Sequence, residues 1–360
     1  MDTKKTKAKI KKILSKYFIS VDKDWNISLK SDARTYMKSL ALLKNPKPVA
    51  SVINYFANDL SEIDINNIEP ELIVVNSDEH KNIFKTAQSY WSVPVTQGYG
   101  RRINFIVFDK YNNKVIGIFG LCDPVIGLNI RDNYIGWDKQ TKYDRLYNFM
   151  TAYVLGAVYP YNLLLGAKLI ASIAQSNEVR RVFKEKYNGK TTIIKKDIKI
   201  PELVAIDTMG AFGQSSIYHQ LKKWKFLDYT QGYTHYHLTT NGIFELFLEV
   251  LADKKIESCK KNRYGNGANW KMRVIRMACQ SLDINPNKLM FHGIQRGYYI
   301  CPLAENYKDF LNKKTDIIYH YDLPFDTAVE KWKNKWLQKY KNKIGYTNNE
   351  QIFGKIIKVA

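Results

Sequence analysis

Two apolar runs face each other across a short polar turn: INFIVFD (103–109) and VIGIFGLC (115–122), joined through Tyr111-Asn112-Asn113-Lys114. Runs of this length and composition around a turn predict a β-hairpin. Upstream, ELIVV (71–75) predicts a short strand. Ser77 then opens a helix to about Trp91, with Asp78 and Glu79 in its first turn, where carboxylates suit the helix dipole. Downstream, the pattern predicts a short strand near 125–137 and helices over Asp144 to Val158 and Asn162 to Tyr187, the second broken near Ser176-Asn177. A strand at ELVAID (202–207), a helix over Gln214 to Lys223 and closing strands at Phe226–Tyr229 and Thr234–Thr239 complete the block. The fold class expected is α/β (α+β), a mixed sheet flanked by helices.

Outside this block the chain changes character. Residues 3–17 (TKKTKAKIKKILSKY) predict a basic helix, with Ile10, Ile13, Leu14 and Phe18 near helical spacing. It reads either as a helix lying on a phosphate backbone or as a solubilising cap. A second helix over Ser31 to Leu43 and a third over Ser51 to Leu60 make residues 1–65 a helical, basic N-terminal region. The core is expected over 66–242 and a mixed, basic C-terminal region over 243–360. There, helices are expected over Phe244 to Lys260 and Trp270 to Leu282, separated by the loop Asn262–Asn269, and HGIQRGYYICPLAEN (292–306) reads as a loop leading into a strand. The tail from Lys331 holds eight lysines and one acid, Glu350.

Hydrophobic residues make up 45% of the 360 and aromatics 13%, enough for a real core. Lys and Arg number 56 against 34 Asp and Glu, a net charge of +22. Such an excess attracts polyanions, DNA or RNA first among them. The other reading of the excess is a generally lysine-rich composition. No apolar run reaches 18 residues, so no membrane span is expected, nor a signal peptide, and the cytoplasm is the expected location. Cys122, Cys259, Cys279 and Cys301 form no C-x-x-C pair and lack a histidine at zinc spacing, so neither a structural zinc nor a disulfide framework is expected.

The order strand, helix, hairpin, long helices, strand, helix, two strands resembles the wiring of N-acetyltransferase-like (GNAT-like) proteins. So does GQSSIYHQLKKWKFLDYTQGYTHYH (213–237). That family holds the pyrophosphate of acetyl-CoA on a glycine-rich loop opening its central helix. The corresponding place here, Tyr159 to Lys168, keeps only Gly166-Ala167, so the resemblance implies the fold without implying the cofactor, which stays unassigned.

Three further stretches occur in order: R-D-x-x-I-G-W (Arg131, Asp132, Ile135, Gly136, Trp137), E-L-V-A-I-D-T-x-x-A-F-G-x-S-S-x-Y (202–218) and W-K-F-L-x-x-T-x-G (224–232). Together they resemble the DruA-like family of the Druantia anti-phage system over about residues 70–240. The resemblance implies a role in phage defence, with other proteins of a defence system as partners, and leaves the chemistry open.

Several residues are candidates for chemistry. Asp207 ends a strand at the sheet's carboxyl edge, where α/β proteins place sites, or is a turn residue. Tyr218 matches by context the tyrosine that serves GNAT enzymes as general acid, or is a core tyrosine. Thr234-His235-Tyr236-His237 alternates as a strand would, so His235 and His237 are expected on one face, as general bases or half of a metal site. No third ligand is evident, and no metal is assigned. Asp123 and Asp132 are a weaker pair for Mg²⁺. Nucleic-acid contacts are expected from Arg101 and Arg102 beside Tyr99, from Arg131, from Arg180 and Arg181, and from Lys222, Lys223 and Lys225 around Trp224. The function expected is nucleic-acid binding in anti-phage defence, with modification or processing of DNA. The alternatives are a non-catalytic recognition adaptor with a degenerate GNAT fold and a small-molecule or protein acyltransferase.

Overall fold

The computed structural model describes residues 2–96, 98, 100–192, 196–239, 242–253 and 270–340. Tyr99, Cys259, the loop 262–269 and the tail beyond 340 lie outside the described residues.

A seven-stranded mixed sheet organises the chain. Its strands are β3 (Pro70–Val74), β4 (Arg102–Asp109), β5 (Lys114–Cys122), β6 (Phe149–Ala157), β7 (Ala205–Met209), β8 (Lys225–Tyr229) and β9 (Gly297–Pro302). Their spatial order is β3-β4-β5-β6-β7-β9-β8. The hairpin β4/β5 forms as expected, with Ile106 opposite Ile118. Every pairing is antiparallel except β6 with β7. That pair runs parallel only from Phe149↔Ala205 to Thr151↔Asp207. β6 continues to Ala157 and β7 to Met209, so the two strands part beyond Asp207.

The sheet is buried on both faces, which explains its near-continuous apolar strands. On one face Phe105, Val107, Phe119 and Met150 pack with Leu169, Ile173 and Phe183 from α6 (Gly166–Ile173) and α7 (Asn177–Tyr187). The same cluster takes in Val329 of α12 (Phe325–Lys331) and Trp332 and Trp336 of the π-helical turn after it. On the other face Ile106, Val115 and Ile118 pack with Ile83 and Phe84 of α3 (Asp78–Gln88). At the β7/β9 end of that face, Ala205 and Ile300 pack with Ile135 of α4 (Asn129–Ile135) and Phe310 of α11 (Tyr307–Leu311). Alternation along each strand sends successive side chains to these opposite layers.

A second core is helical. α1 (Thr3–Lys16), α2 (Ala33–Lys44), α8 (Ile243–Asp253), α9 (Trp270–Ser281) and α10 (Pro286–Met290) share Ile10, Leu14, Tyr36, Leu40, Phe247 and Ile275. A two-stranded ribbon, β1 (Ile19–Val21) with β2 (Ile27–Leu29), belongs to it. The N-terminal helices thus pack with helices from beyond residue 242. The chain then returns to the sheet, and β9 inserts between β7 and β8.

Four local expectations are corrected. The helix expected over 144–158 is mostly β6: its run FMTAYVLGA is apolar on both faces, and such a run carries no periodicity to separate helix from strand. The strand expected near 125–137 is α4. The helix expected over 214–223 is a set of turns, because the buried ammonium of Lys168 collects the carbonyls of Ser216 (2.7 Å), Ile217 (3.2 Å) and His219 (2.7 Å). The strand expected at Thr234–Thr239 is a 3₁₀ turn over Tyr236–Thr239.

Candidate ligand pocket at the end of strand β7

β7 emerges from the sheet beneath the helical body, and a cavity of about 440 Å³ lies there. Its walls come from four places in the chain. Gly127–Ile130 form one, Met209 at the end of β7 another, Thr230–Tyr236 a third and His292–Arg296 the fourth. Tyr36, Met37 and Leu40 of α2 close it from the helical side.

The first wall is held by the R-D-x-x-I-G-W stretch. Arg131 is 0% exposed. Its Nε and Nη2 donate to Asp132 Oδ1 (3.0 and 2.8 Å), and Nη2 also donates to the Ile126 carbonyl (3.2 Å). Asp132 accepts further from the Leu128 amide (3.2 Å), Trp137 Nε1 (3.2 Å) and Lys142 Nζ (2.8 Å). A buried charge is tolerated only when paired and hydrogen-bonded. Here the pairing pins both ends of the turn that leads into Gly127–Ile130.

The second wall is set by Asp207 and Arg296. Asp207 and Met209 share one face of β7 by strand alternation. The Asp207 carboxylate, 2% exposed, accepts from Tyr298 Oη (2.5 Å) and from Thr151 Oγ1. Burial raises its pKa above the ordinary carboxylate range, against the pull of the Arg131 charge. Arg296 caps the strand: Nε donates to the Gly210 carbonyl (2.6 Å) and Nη2 to that of Met209 (3.3 Å).

The third and fourth walls are stitched together. The Thr230 amide donates to the Arg296 carbonyl (2.9 Å), and the Arg296 amide to Thr230 Oγ1 (3.1 Å). The His292 amide donates to the Gly232 carbonyl (3.0 Å). Gly232 sits at φ 78°, and a Cβ there would stand 3.0 Å from the Gly293 backbone. The glycine that ends W-K-F-L-x-x-T-x-G therefore permits the two loops to touch.

The lining combines apolar side chains such as Met37, Leu40, Leu128, Met209 and Ile294 with a few neutral polar groups and one cation, Arg296. Among the described residues no carboxylate lines the cavity. Burial depresses the imidazoles of His235 and His292 to about 4, helped at His235 by Lys44 and Lys271 and at His292 by Arg296. Both rings are neutral at physiological pH. His292 Nδ1 accepts from the Ile294 amide (3.0 Å), which orients that ring. Among the described residues the His235 ring makes no hydrogen bond, while its carbonyl accepts from the Leu238 amide (3.0 Å). The Tyr36 hydroxyl is buried and also unpartnered. Lys44, depressed to about 8 chiefly by burial, donates to the Tyr236 carbonyl and lies 5.2 Å from the Tyr236 ring centroid.

The candidate residues end up in different places. Asp207 and Tyr218 do not converge. Tyr218 is buried on the opposite face with Trp224 and Tyr299, at centroid distances of 4.8 and 4.5 Å, and burial pushes its hydroxyl pKa up. His235 lines the cavity, whereas His237 is fully buried in the helical core with Nε2 on the Leu289 carbonyl (2.8 Å), because the segment is a 3₁₀ turn in place of a strand. Among the described residues no group of three or more His, Cys, Asp or Glu is placed to hold a metal. Asp123 is engaged by Arg101 (2.8 Å) and Asp132 by Arg131 and Lys142. Cys122, Cys279 and Cys301 are buried thiols outside any disulfide.

The basic candidates divide similarly. Arg131 is interior and presents no charge to a polyanion. Arg101 is directed inward, with Nη2 on the Tyr147 carbonyl (2.8 Å) and its guanidinium 3.9 Å from the Tyr147 ring centroid. Arg180 donates to Asn177 and to the Tyr321 carbonyl, and Lys223 lies over the Tyr321 ring. Arg102, Arg181, Lys222 and Lys225 are exposed. No described helix is long and apolar enough to cross a membrane.

The start of α6 is where a GNAT-like protein would hold a pyrophosphate, and the residues do not fit one. A Cβ on Gly166 would stand 2.7 Å from the Tyr161 carbonyl, so this glycine serves close packing. The Leu165 carbonyl accepts from Trp332 Nε1 (3.3 Å), and α12 lies against α6.

Sequence reasoning does not single out Tyr36, Asn129, His292 or Arg296. HGIQRG carries a visible signal in its His, Arg and glycines, whereas Tyr36 sits in an ordinary amphipathic helix and gives none.

A seven-stranded mixed sheet with helices packed on both faces makes this a mixed α/β protein. The chain belongs to the DruA family: the family model described as Druantia protein DruA matches residues 21–313. The Druantia protein DruA of Escherichia coli (strain UMEA 4076-1) is 40% identical over 263 residues, which cover 71% of this chain and 64% of that protein. The chain therefore spans less than two thirds of that relative's length. No solved structure matches. The three stretches that carry the family resemblance are the ones that build or brace the pocket.

Proposed function

We propose that this protein is a nucleic-acid-binding component of an anti-phage defence system of the Druantia kind, acting in the cytoplasm with other proteins of that system. The observation that carries the reading is the basic surface of α1. This 14-residue helix has no acidic residue, and Lys5, Lys9, Lys12 and Lys16 are exposed at i+3 and i+4 spacing behind the buried Ile10 and Leu14. On a chain of net charge +22, such a face attracts a phosphate backbone by counterion release. Exposed Arg102, Arg181, Lys222 and Lys225 add to the same preference for polyanions.

Recognition is favoured over group transfer, because Asp207, Tyr218, His235 and His237 occupy separate environments. The misfit at α6 speaks against acyl transfer. Modification or processing of DNA is the reading that competes. Fluorescence anisotropy with labelled single-stranded and duplex DNA and RNA, measured across salt concentrations, tests the proposal. Binding with a steep salt slope is expected, and absence of binding at low salt overturns it. Mass spectrometry of nucleosides from DNA incubated with the protein separates modification from recognition.

A further inference from the structure

We propose that the pocket over β7 takes a single nucleotide, with its base against the neutral polar wall and its phosphate toward the basic one. The inference rests on the nucleic-acid reading above and names the ligand of a site that reading leaves unassigned.

Three observations select this chemistry. The first is hydrogen-bonding capacity without charge. The Tyr36 hydroxyl is buried with no partner, and a buried polar group left unmade costs stability unless something satisfies it. The neutral His235 ring offers one donor and one acceptor and makes no hydrogen bond among the described residues. Asn129 and Gln231 add amides to the same cavity. Adjacent donors and acceptors on neutral groups match the edge of a nucleobase.

The second is shape. The rings of His235, Tyr233 and Tyr236 and the unbranched or aliphatic side chains of Met209 and Ile294 all line the cavity, a set of surfaces that suits a flat heteroaromatic ring. Tyr233 is 53% exposed and pairs with Phe291 at 5.1 Å, forming an aromatic lip at the surface. The volume of about 440 Å³ falls within the range of small-molecule sites.

The third is the sign of the field. No carboxylate lines the cavity among the described residues, while Arg296 stands in its wall and Lys44 and Lys271 act on His235. A nucleoside alone leaves the Arg296 charge unanswered, and inorganic phosphate alone leaves the Tyr36 and His235 wall unanswered. A nucleotide answers both. It can arrive free or as one unit turned out of a strand, and the loops lining the pocket are compatible with either source.

The test uses the full chain and isothermal titration with the four deoxynucleoside 5′-monophosphates, the matching nucleosides, inorganic phosphate, and single-stranded oligonucleotides with or without one central abasic position. At least one monophosphate is expected to bind more tightly than its nucleoside and than phosphate if the ligand is free. If the ligand is a unit of a strand, the intact oligonucleotide is expected to bind at least tenfold more tightly than the abasic one. In either case Tyr36→Phe and His235→Asn, each checked for an unchanged melting temperature, are expected to weaken that binding about tenfold.

The proposal is overturned if no monophosphate binds and the abasic oligonucleotide binds as tightly as the intact one. It is also overturned if both variants bind like the parent. Those results leave salt-dependent DNA binding standing. Conversely, monophosphate binding without any oligonucleotide binding keeps the pocket and removes the nucleic-acid reading.

Discussion

Tyr298 donates its hydroxyl to the Asp207 carboxylate at 2.5 Å inside the buried face of the sheet, one strand over and two residues from the direct partner of Asp207. Thr151, on the other neighbouring strand, donates to the second carboxylate oxygen. The carboxylate thus bridges β6, β7 and β9 where β6 and β7 begin to part.

Replacing Asp207 by Ala strands both hydroxyls in the core and is expected to cost about 1–3 kcal/mol in urea unfolding. Asp207→Asn keeps one acceptor and the same volume, so its loss is smaller. Burial raises the pKa of Asp207, so the folded chain holds this proton more tightly than the unfolded chain does. Stability from this group is therefore lost as pH rises from the ordinary carboxylate value of 3.8. The wild-type advantage over D207N is expected to shrink across that rise, and an advantage that grows would contradict the assignment.

Arg131→Lys replaces a fork of donors with a single point charge. The variant leaves Asp132 short of donors and releases the Ile126 carbonyl. Removing one partner of a buried pair costs about 3–5 kcal/mol, and R131K is expected to fall near the lower end because it keeps a charge. Thermal unfolding checks the size. Because the same hydrogen bonds hold Gly127–Ile130, titration of R131K should also show weakened binding of any pocket ligand.

The legible part of this protein is the sheet's hairpin, the helix α3 before it and the helices α6 and α7 that follow β6. β4 and β5 are readable because two apolar runs meet at a polar turn. α3 is readable from Ser77 and the acids of its first turn, and the break between α6 and α7 from Ser176-Asn177. β6 is not, since a strand buried on both faces has no alternation to show. The Thr234–His237 turn escapes a sequence reading because alternation in four residues is weak. That segment is held by Lys44 on the Tyr236 carbonyl and by His237 on Leu289, partners from distant parts of the chain. The pocket is half legible. Arg131, Asp132, Asp207 and Gly232 lie in stretches that read as motifs, and in the fold their hydrogen bonds and close contacts brace the pocket walls. Tyr36 and Arg296 reach the pocket only because the chain folds its N-terminal helices onto residues 243–290 and then returns β9 to the sheet.

The histidines set an acid limit on stability. His237 is fully buried, and burial depresses it from the ordinary 6.5 to about 4; His235 and His292 are depressed to about 4 as well. Between pH 6.5 and 4 the unfolded chain binds protons that the folded chain refuses, so stability falls as pH falls through that window. For His237 the slope approaches about 1.4 kcal/mol per pH unit. His237→Gln can still donate to the Leu289 carbonyl but does not titrate. Urea midpoints measured at intervals across the window should fall less steeply for H237Q than for the parent.

The lysines of α1 make the last test, because they separate charge from fold. Lys5, Lys9, Lys12 and Lys16 are exposed, and changes at such sites usually shift stability by no more than about 0.5 kcal/mol. Replacing all four with Gln should therefore leave the melting temperature close to the parent's. If the helix lies along a phosphate backbone, each lysine–phosphate pairing that is removed lowers the slope of log K against log salt by about 0.9 for duplex DNA and about 0.7 for a single strand. A drop of up to about 3.6 in the slope is expected for the fourfold variant on duplex DNA, with affinity at low salt falling most. An unchanged slope would move the polyanion site away from α1, to the exposed cations at Arg102, Arg181, Lys222 and Lys225.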